Sequence, residues 1–261
     1  MTIRLPVLLI GLLLAAGLHF GLGEWREAQR GALVGLSDNP CAPDGTVITG
    51  RPSDDWAARC FYRAQNVALI ASGRRPEVVM IGDSLTMGWP VMEGVVDRGI
   101  GLQTSDQIML RFREDVVQLS PRVVHILVGI NDVAGITGPV TLEQYRGNLT
   151  AMIEMAQANG ITVIIGTVPS ARSFPLNPAI TPGPAVTRLN GVVRSLADDY
   201  GLVLADYNAV MSLPDGSIRA KNYIDDGVHP GPAGYAAMQP VFDAALRQAR
   251  ANLPAQVSGS R

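Results

Sequence analysis

From Pro76 onward the chain alternates short, continuously apolar runs with longer stretches in which apolar residues recur every three or four positions. The apolar runs fall at residues 78–81, 94–96, 123–128, 161–165 and 202–204. Short, rich in β-branched residues and without a polar alternate, each predicts a strand covered on both faces. Helical periodicity occupies residues 105–119, 142–159, 185–200 and 233–251, and another such stretch runs from Asp54 to Ala71, with Ser53 placed to cap it. Thr141 with Gln144 predicts a capping box and Gly160 a helix stop. Strands and helices taken in alternation predict an α/β fold around a parallel sheet of about five strands.

Ahead of this pattern, residues 5–23 are uncharged and nearly all apolar, bounded by Arg4 and by Glu24-Trp25-Arg26. Their length approaches the roughly 20 residues that span a bilayer, which predicts a membrane segment over residues 1–23. Two forms fit: an uncleaved anchor, favoured because no small-x-small cleavage site ends the run, or a signal peptide. Either exports the rest of the chain, leaving it membrane-anchored on the periplasmic or extracellular side, or secreted if the segment is cleaved. Residues 24–52 read as an irregular connector, 53–252 as the folded domain and 253–261 as a disordered tail.

Cys41 and Cys60 fit no metal or redox spacing. Either they pair, which for a loop of this size adds about 3 kcal/mol in the chain-entropy model, or they are free thiols with Cys60 facing a core. The formal net charge is -2, from 21 basic and 23 acidic residues mixed along the chain, which is not the footprint of a nucleic-acid binder. Nothing in the sequence signals an oligomeric state.

Three short segments carry candidate chemistry. Ser84 directly follows the first apolar run, with Gly82 freeing the turn, so it sits where outward-facing N–H groups favour developing negative charge. The elbow pattern G-x-S-x-G is not matched, because Thr86 takes the last position. Asp226 and His229 precede Pro230-Gly231-Pro232, and one tight turn can hold both side chains, the carboxylate orienting the imidazole as a base. Of the other histidines, His19 lies in the apolar N-terminal run and His125 inside a predicted strand, so His229 is the one placed as a base. Asn131 leaves the run 123–128 after Gly129; its amide either donates to an oxyanion or stabilises its own turn. Asp132 reads as a local brace. Residues 168–184 hold five prolines and no clear period, forming a long loop that either walls the pocket or is a surface excursion.

Taken together, Gly82-Asp83-Ser84-Leu85, Gly129-Ile130-Asn131-Asp132 and Asp226-Gly227-Val228-His229-Pro230 resemble three of the sequence blocks of the GDSL lipases and acylhydrolases, the SGNH hydrolase superfamily. The likeness runs from about Val78 to Met238, in the family's block order. It implies a flavodoxin-like three-layer α/β/α sandwich, with Ser84 as nucleophile, His229 as base, Asp226 as its orienter and Asn131 as an oxyanion donor. It implies no metal and no organic cofactor. The second block departs from the pattern: here it is Asp97-Arg98-Gly99-Ile100-Gly101-Leu102-Gln103-Thr104, and the glycine expected to donate its N–H falls on Leu102. Since the donor is main chain, Leu102 can supply it, beside Ser84 N–H, with a side chain that narrows the pocket. If its φ is positive, that costs on the order of 1 kcal/mol or more. The alternatives are a shifted loop that uses Gly101, or a weakened hole.

The function expected from these residues is that of an exported serine esterase acting on a small ester, such as an acetylated sugar or a lysophospholipid, through an acyl-enzyme on Ser84. One rival keeps the acyl-enzyme but serves as an envelope carbohydrate O-acyltransferase or deacetylase. A rival of another class, prompted by Leu102, is a ligand-binding module that has lost catalysis.

Overall fold

The computed structural model describes residues 39–50 and 52–253; the apolar segment at 5–23, the connector up to residue 38 and the tail at 254–261 lie outside the described residues. Five strands, β1 (Val78–Gly82), β2 (Val95–Gly99), β3 (Val123–Leu127), β4 (Thr162–Gly166) and β5 (Val203–Ala205), form one sheet in the order β2-β1-β3-β4-β5. All four pairings are parallel. Every residue of β1 and β3 is buried, as expected of central strands covered on both faces.

Eight α-helices surround the sheet among the described residues: α1 (Arg63–Ala71), α2 (Ser84–Met87), α3 (Ser105–Asp115), α4 (Ile130–Ala134), α5 (Leu142–Ala158), α6 (Pro182–Tyr200), α7 (Tyr207–Met211) and α8 (Pro232–Ala251). Neighbours α1, α3, α5 and α6 pack in series, while α8 lies over β4 and β5. Thr141 and Gln144 exchange the two hydrogen bonds of a capping box at the start of α5, at 2.9 and 3.1 Å. Among the described residues no helix is long and apolar enough to cross a membrane.

This strand order reverses direction between β1 and β3. In sheets of this order, ligands bind beyond the carboxyl ends of the strands at that reversal. Ser84 leaves β1 and Asn131 leaves β3, so the sequence delivers its hydroxyl and its amide to the two sides of the switch point.

Two elements differ from the sequence reading. The helix expected over residues 54–71 begins only at Arg63, after a 3₁₀ turn at Pro52–Asp55. Ala58 takes a left-handed φ of 52°, and the Asp55 carboxylate accepts the N–H groups of Arg59 (2.8 Å) and Cys60 (2.9 Å), which draws that backbone out of helix. Cys41 and Cys60 are disulfide-bonded there, and residues 41 and 47 form an antiparallel bridge, so part of the stretch read as connector packs on the domain. Strand β2 continues through Asp97 and Arg98 to Gly99, beyond the apolar run at 94–96, because both charged side chains are satisfied. Arg98 Nε donates to Asn66 Oδ1 at 2.9 Å, and its guanidinium lies 4.6 Å from the centre of the Tyr62 ring; Asp97 accepts the Gly99 N–H at 2.6 Å.

His125 sits in β3 with no exposure, its Nε2 2.8 Å from the Tyr207 hydroxyl and its ring edge-on to Phe242. Burial pushes its pKa down to about 3, so it is a neutral core residue, as the sequence placement suggests.

Candidate active site

The turn from β1 into α2 is built around Gly82 and Asp83. A Cβ on Gly82 would lie 2.2 Å from both the Leu127 carbonyl and Thr86 Oγ1, so only glycine fits. Asp83, fully buried, caps α2 by accepting the Leu85 N–H at 2.9 Å. Burial raises its pKa to about 7, against the pull of the Leu85 N–H and with the nearby Asp132 carboxylate adding to the rise.

Ser84 Oγ lies 2.9 Å from His229 Nε2, and His229 Nδ1 lies 2.6 Å from Asp226 Oδ2. Asp226 Oδ1 accepts the N–H groups of Val228 (2.8 Å) and His229 (2.9 Å). Burial raises the Asp226 pKa, but the hydrogen bonds from His229 and Val228 outweigh it and hold the group below its ordinary value. A carboxylate facing Nδ1 favours the tautomer with its proton there, which leaves Nε2 as acceptor for the serine hydroxyl. The turn is closed by Ile224 N–H on the His229 carbonyl (3.0 Å) and Gly227 N–H on the Ile224 carbonyl (3.0 Å). The proline-rich loop after β4 supports it, since Arg172 N–H donates to the Gly227 carbonyl at 2.8 Å and Tyr223 Oη to the Ser170 carbonyl at 2.8 Å. That loop therefore packs on the Asp/His turn instead of standing clear of the domain.

The loop after β2 runs beside the serine: a Cβ built on Gly101 would come 3.9 Å from Ser84 Cβ. Leu102 has φ 65°, a left-handed conformation, and the residue is 59% exposed. The Asn131 amide donates to the Gln103 carbonyl at 3.0 Å, with a second N–H remaining. Asp132 accepts the Ser105 N–H at 3.0 Å and the Ser105 hydroxyl at 2.5 Å, the brace expected of it. Burial, opposed by those two bonds, pushes its pKa up to about 6.

Under this loop lies a buried polar network that the sequence reading missed. Gln103 Nε2 donates to the Ala57 carbonyl (2.8 Å), and Gln103 Oε1 accepts from Arg111 Nε (2.6 Å). Arg111, with no exposure, also reaches Asp115 Oδ2 (2.7 Å) and the Gly82 carbonyl (3.0 Å). One signal was available: Arg111 and Asp115 stand four apart on the helix face that also carries Ile108 and Phe112, an ion pair where only apolar residues are expected.

A cleft of about 560 Å³ has walls that include Gly88, Pro90, Ile224, Pro230 and Tyr235. Gly88 ends the Ser84 helix and Pro230 follows His229, but neither Ser84 nor His229 lines the cleft itself. Among the described residues no cluster of three or more His, Cys, Asp or Glu side chains is arranged to hold a metal ion. A hydroxyl, an imidazole and a carboxylate in this chain of contacts can deprotonate the serine as it attacks an acyl carbon.

Residues 80–237 match the model of the GDSL-like lipase/acylhydrolase family. The crystal structure of a GDSL-like lipase from Bacteroides thetaiotaomicron is 34% identical and superposes with a TM-score of 0.68, covering 74% of this chain and 99% of that one. Axe2, an acetylxylan esterase from Geobacillus stearothermophilus, is 21% identical with a TM-score of 0.53 over 65% of this chain and 93% of its own; it shares the fold. An uncharacterized lipoprotein of Bacillus subtilis, YqeF, is 36% identical over 76 residues, 28% of this chain and 31% of that protein, so the match spans about a third of that relative. With the family model covering nearly all of the sheet and all three motif segments, the chain belongs to the GDSL-like lipase/acylhydrolase family and is an ester-cleaving hydrolase of the SGNH type.

Proposed function

We propose that the protein is an exported serine esterase that cleaves small carboxylic esters through an acyl-enzyme on Ser84. The observation that carries this reading is the continuous contact chain Ser84 Oγ–His229 Nε2, 2.9 Å, and His229 Nδ1–Asp226 Oδ2, 2.6 Å. His229 takes the hydroxyl proton as Ser84 attacks, and Asp226 steadies the imidazolium. The tetrahedral oxyanion is held by the main-chain N–H groups of Ser84 and Leu102 and by the remaining N–H of Asn131. Collapse expels the alcohol, protonated by His229. Water activated by the same imidazole then releases the acid.

The substrate class follows from the surroundings of the pair. His229 and Asp226 side chains are 40% and 33% exposed, which leaves an open mouth suited to an ester on a larger alcohol. The cleft walled by Gly88, Pro230 and Tyr235, next in sequence to the site segments, is largely apolar, and a short acyl group or the apolar part of a lysophospholipid would suit it. An acetylated sugar fits the open mouth, and the likeness in fold to an acetylxylan esterase is consistent with it. The same openness suits transfer of the acyl group to a sugar hydroxyl, the second reading; free acid as the whole product in the presence of a glycan acceptor would exclude it.

Export and anchoring rest on the apolar residues 5–23 and on the partial likeness to a lipoprotein. The deciding measurement is hydrolysis of nitrophenyl acetate by the full chain and by Ser84→Ala. The proposal requires loss of turnover and of fluorophosphonate labelling at Ser84; equal rates in the two proteins would refute it.

A further inference from the structure

We infer that Gln103 is the positioning residue of the oxyanion pocket: its clamped side chain fixes the N–H of Leu102, and its own carbonyl fixes the amide of Asn131. The inference rests on the donor roles proposed above for those two residues.

Leu102 needs a holder. A leucine at φ 65° sits in a region that L-residues with a Cβ leave unless their surroundings over-determine them, and the residue, more than half exposed, has little packing to do so. The next residue supplies the constraint. Gln103 is 3% exposed and uses both ends of its amide, donating to the Ala57 carbonyl and accepting from Arg111 Nε. Only a carboxamide meets both demands at that length: a carboxylate can accept from the arginine but cannot donate to a carbonyl, and an apolar side chain does neither.

The same clamp measures the distance between donor and nucleophile. The buried Arg111 guanidinium binds the Gln103 side chain, one residue after Leu102, and the Gly82 carbonyl, two residues before Ser84. Asp115 satisfies a further nitrogen at 2.7 Å, and Asn66 holds the other oxygen of Asp115 at 2.6 Å, so the guanidinium has little freedom to rotate. On the opposite side, the Gln103 carbonyl takes one of the two N–H bonds of the Asn131 amide at 3.0 Å and so sets the direction of the other. Nucleophile turn, main-chain donor and side-chain donor thus share one brace. On the far side that brace ends at Ala57, within the turn tied down by the Cys41–Cys60 disulfide.

Contacts to an oxyanion strengthen as charge develops, so loosening them lowers kcat and leaves ground-state binding nearly untouched. The experiment compares kcat and KM of the full-length protein with those of Gln103→Ala and Gln103→Glu on a nitrophenyl ester. Asn190→Ala serves as a reference, because Asn190 is also a buried amide bonded at both ends, to the N–H (2.7 Å) and carbonyl (2.9 Å) of Val168, away from the oxyanion loop. Gln103→Ala should lose about 10- to 100-fold in kcat with KM within about threefold, and Gln103→Glu should fall between it and the parent. In an Asn131→Ala background the loss from Gln103→Ala should shrink, since one of the two donors it places is already gone. Asn190→Ala, assayed below its melting temperature, should keep kcat within about threefold. Parental kcat in both Gln103 variants, with hydrolysis still abolished by Ser84→Ala, would overturn this inference alone; so would a loss no larger than that of Asn190→Ala. Hydrolysis that survives Ser84→Ala would instead remove the proposed function.

Discussion

The main-chain N–H of Arg172 donates to the carbonyl of Gly227 at 2.8 Å, joining the proline-rich loop to the turn that carries Asp226 and His229. The contact is close because Gly227 has no side chain. At its φ of 68°, a Cβ would lie 2.7 Å from Arg172 Cβ. Gly227→Ala should therefore destabilise the protein by about 1–3 kcal/mol, through left-handed strain and the clash together. It should also lower kcat, because the turn that sets the His229–Ser84 distance must shift. Urea unfolding and steady-state kinetics on the same preparation check both effects; unchanged stability would show that the loop does not press on the turn.

The contacts of His229 imply a graded response to mutation. Ser84→Ala and His229→Ala should each remove about 10⁶-fold of kcat if this triad behaves as others do, whereas Asp226→Asn should cost about 10⁴-fold, because an amide supports the wrong tautomer of the imidazole. Asn131→Ala should cost about 10²- to 10³-fold. Equal losses for Asp226→Asn and Asn131→Ala on one ester would argue that Asp226 serves the turn and not the imidazole.

Much of the fold was legible in the sequence because its central strands are covered on both faces and so read as apolar runs, unbroken at 78–81 and interrupted only by His125 at 123–128. The three motif segments were legible because two of them, at Ser84 and Asn131, leave predicted strands and the third, Asp226–His229, precedes the last predicted helix. What escaped was of two kinds. Helices α2, α4 and α7 are four or five residues long and have no period to detect. The brace under the loop after β2 depends on pairings across 46 residues, Gln103 with Ala57, and 49 residues, Asn66 with Asp115, which no local pattern encodes.

Leu102 carries a conformational cost that a single substitution can release. Its φ of 65° is unfavourable for any residue with a Cβ, and its exposure means little packing is lost on truncation. Leu102→Gly should raise stability by about 0.5–1 kcal/mol, the relief of left-handed strain less the added chain entropy of glycine. Because the group proposed to donate at Leu102 is main chain, kcat should change by less than about tenfold. Loss of stability in Leu102→Gly would mean that the leucine side chain makes contacts worth more than the strain it imposes.

Two buried groups should give the stability of the domain opposite pH dependences. His125 is held at about 3, below the ordinary 6.5, so folding excludes its proton; its contribution is complete above pH 6.5 and is lost as pH falls toward 3. Asp132 is raised to about 6 from an ordinary 3.8, so folding favours its proton; its contribution is complete below pH 3.8 and is lost as pH rises through 6. The penalty of His125→Gln should therefore shrink on acidification from pH 7 to 5, by at most about 1.4 kcal/mol per pH unit, while the penalty of Asp132→Asn should grow over the same interval. Urea titrations at pH 5, 6 and 7 on the parent and both variants measure the two slopes. Penalties that stay flat across that interval would mean that neither group changes its proton affinity on folding, and penalties of the same sign of slope would mean that one of the two burial effects is outweighed by its hydrogen bonds.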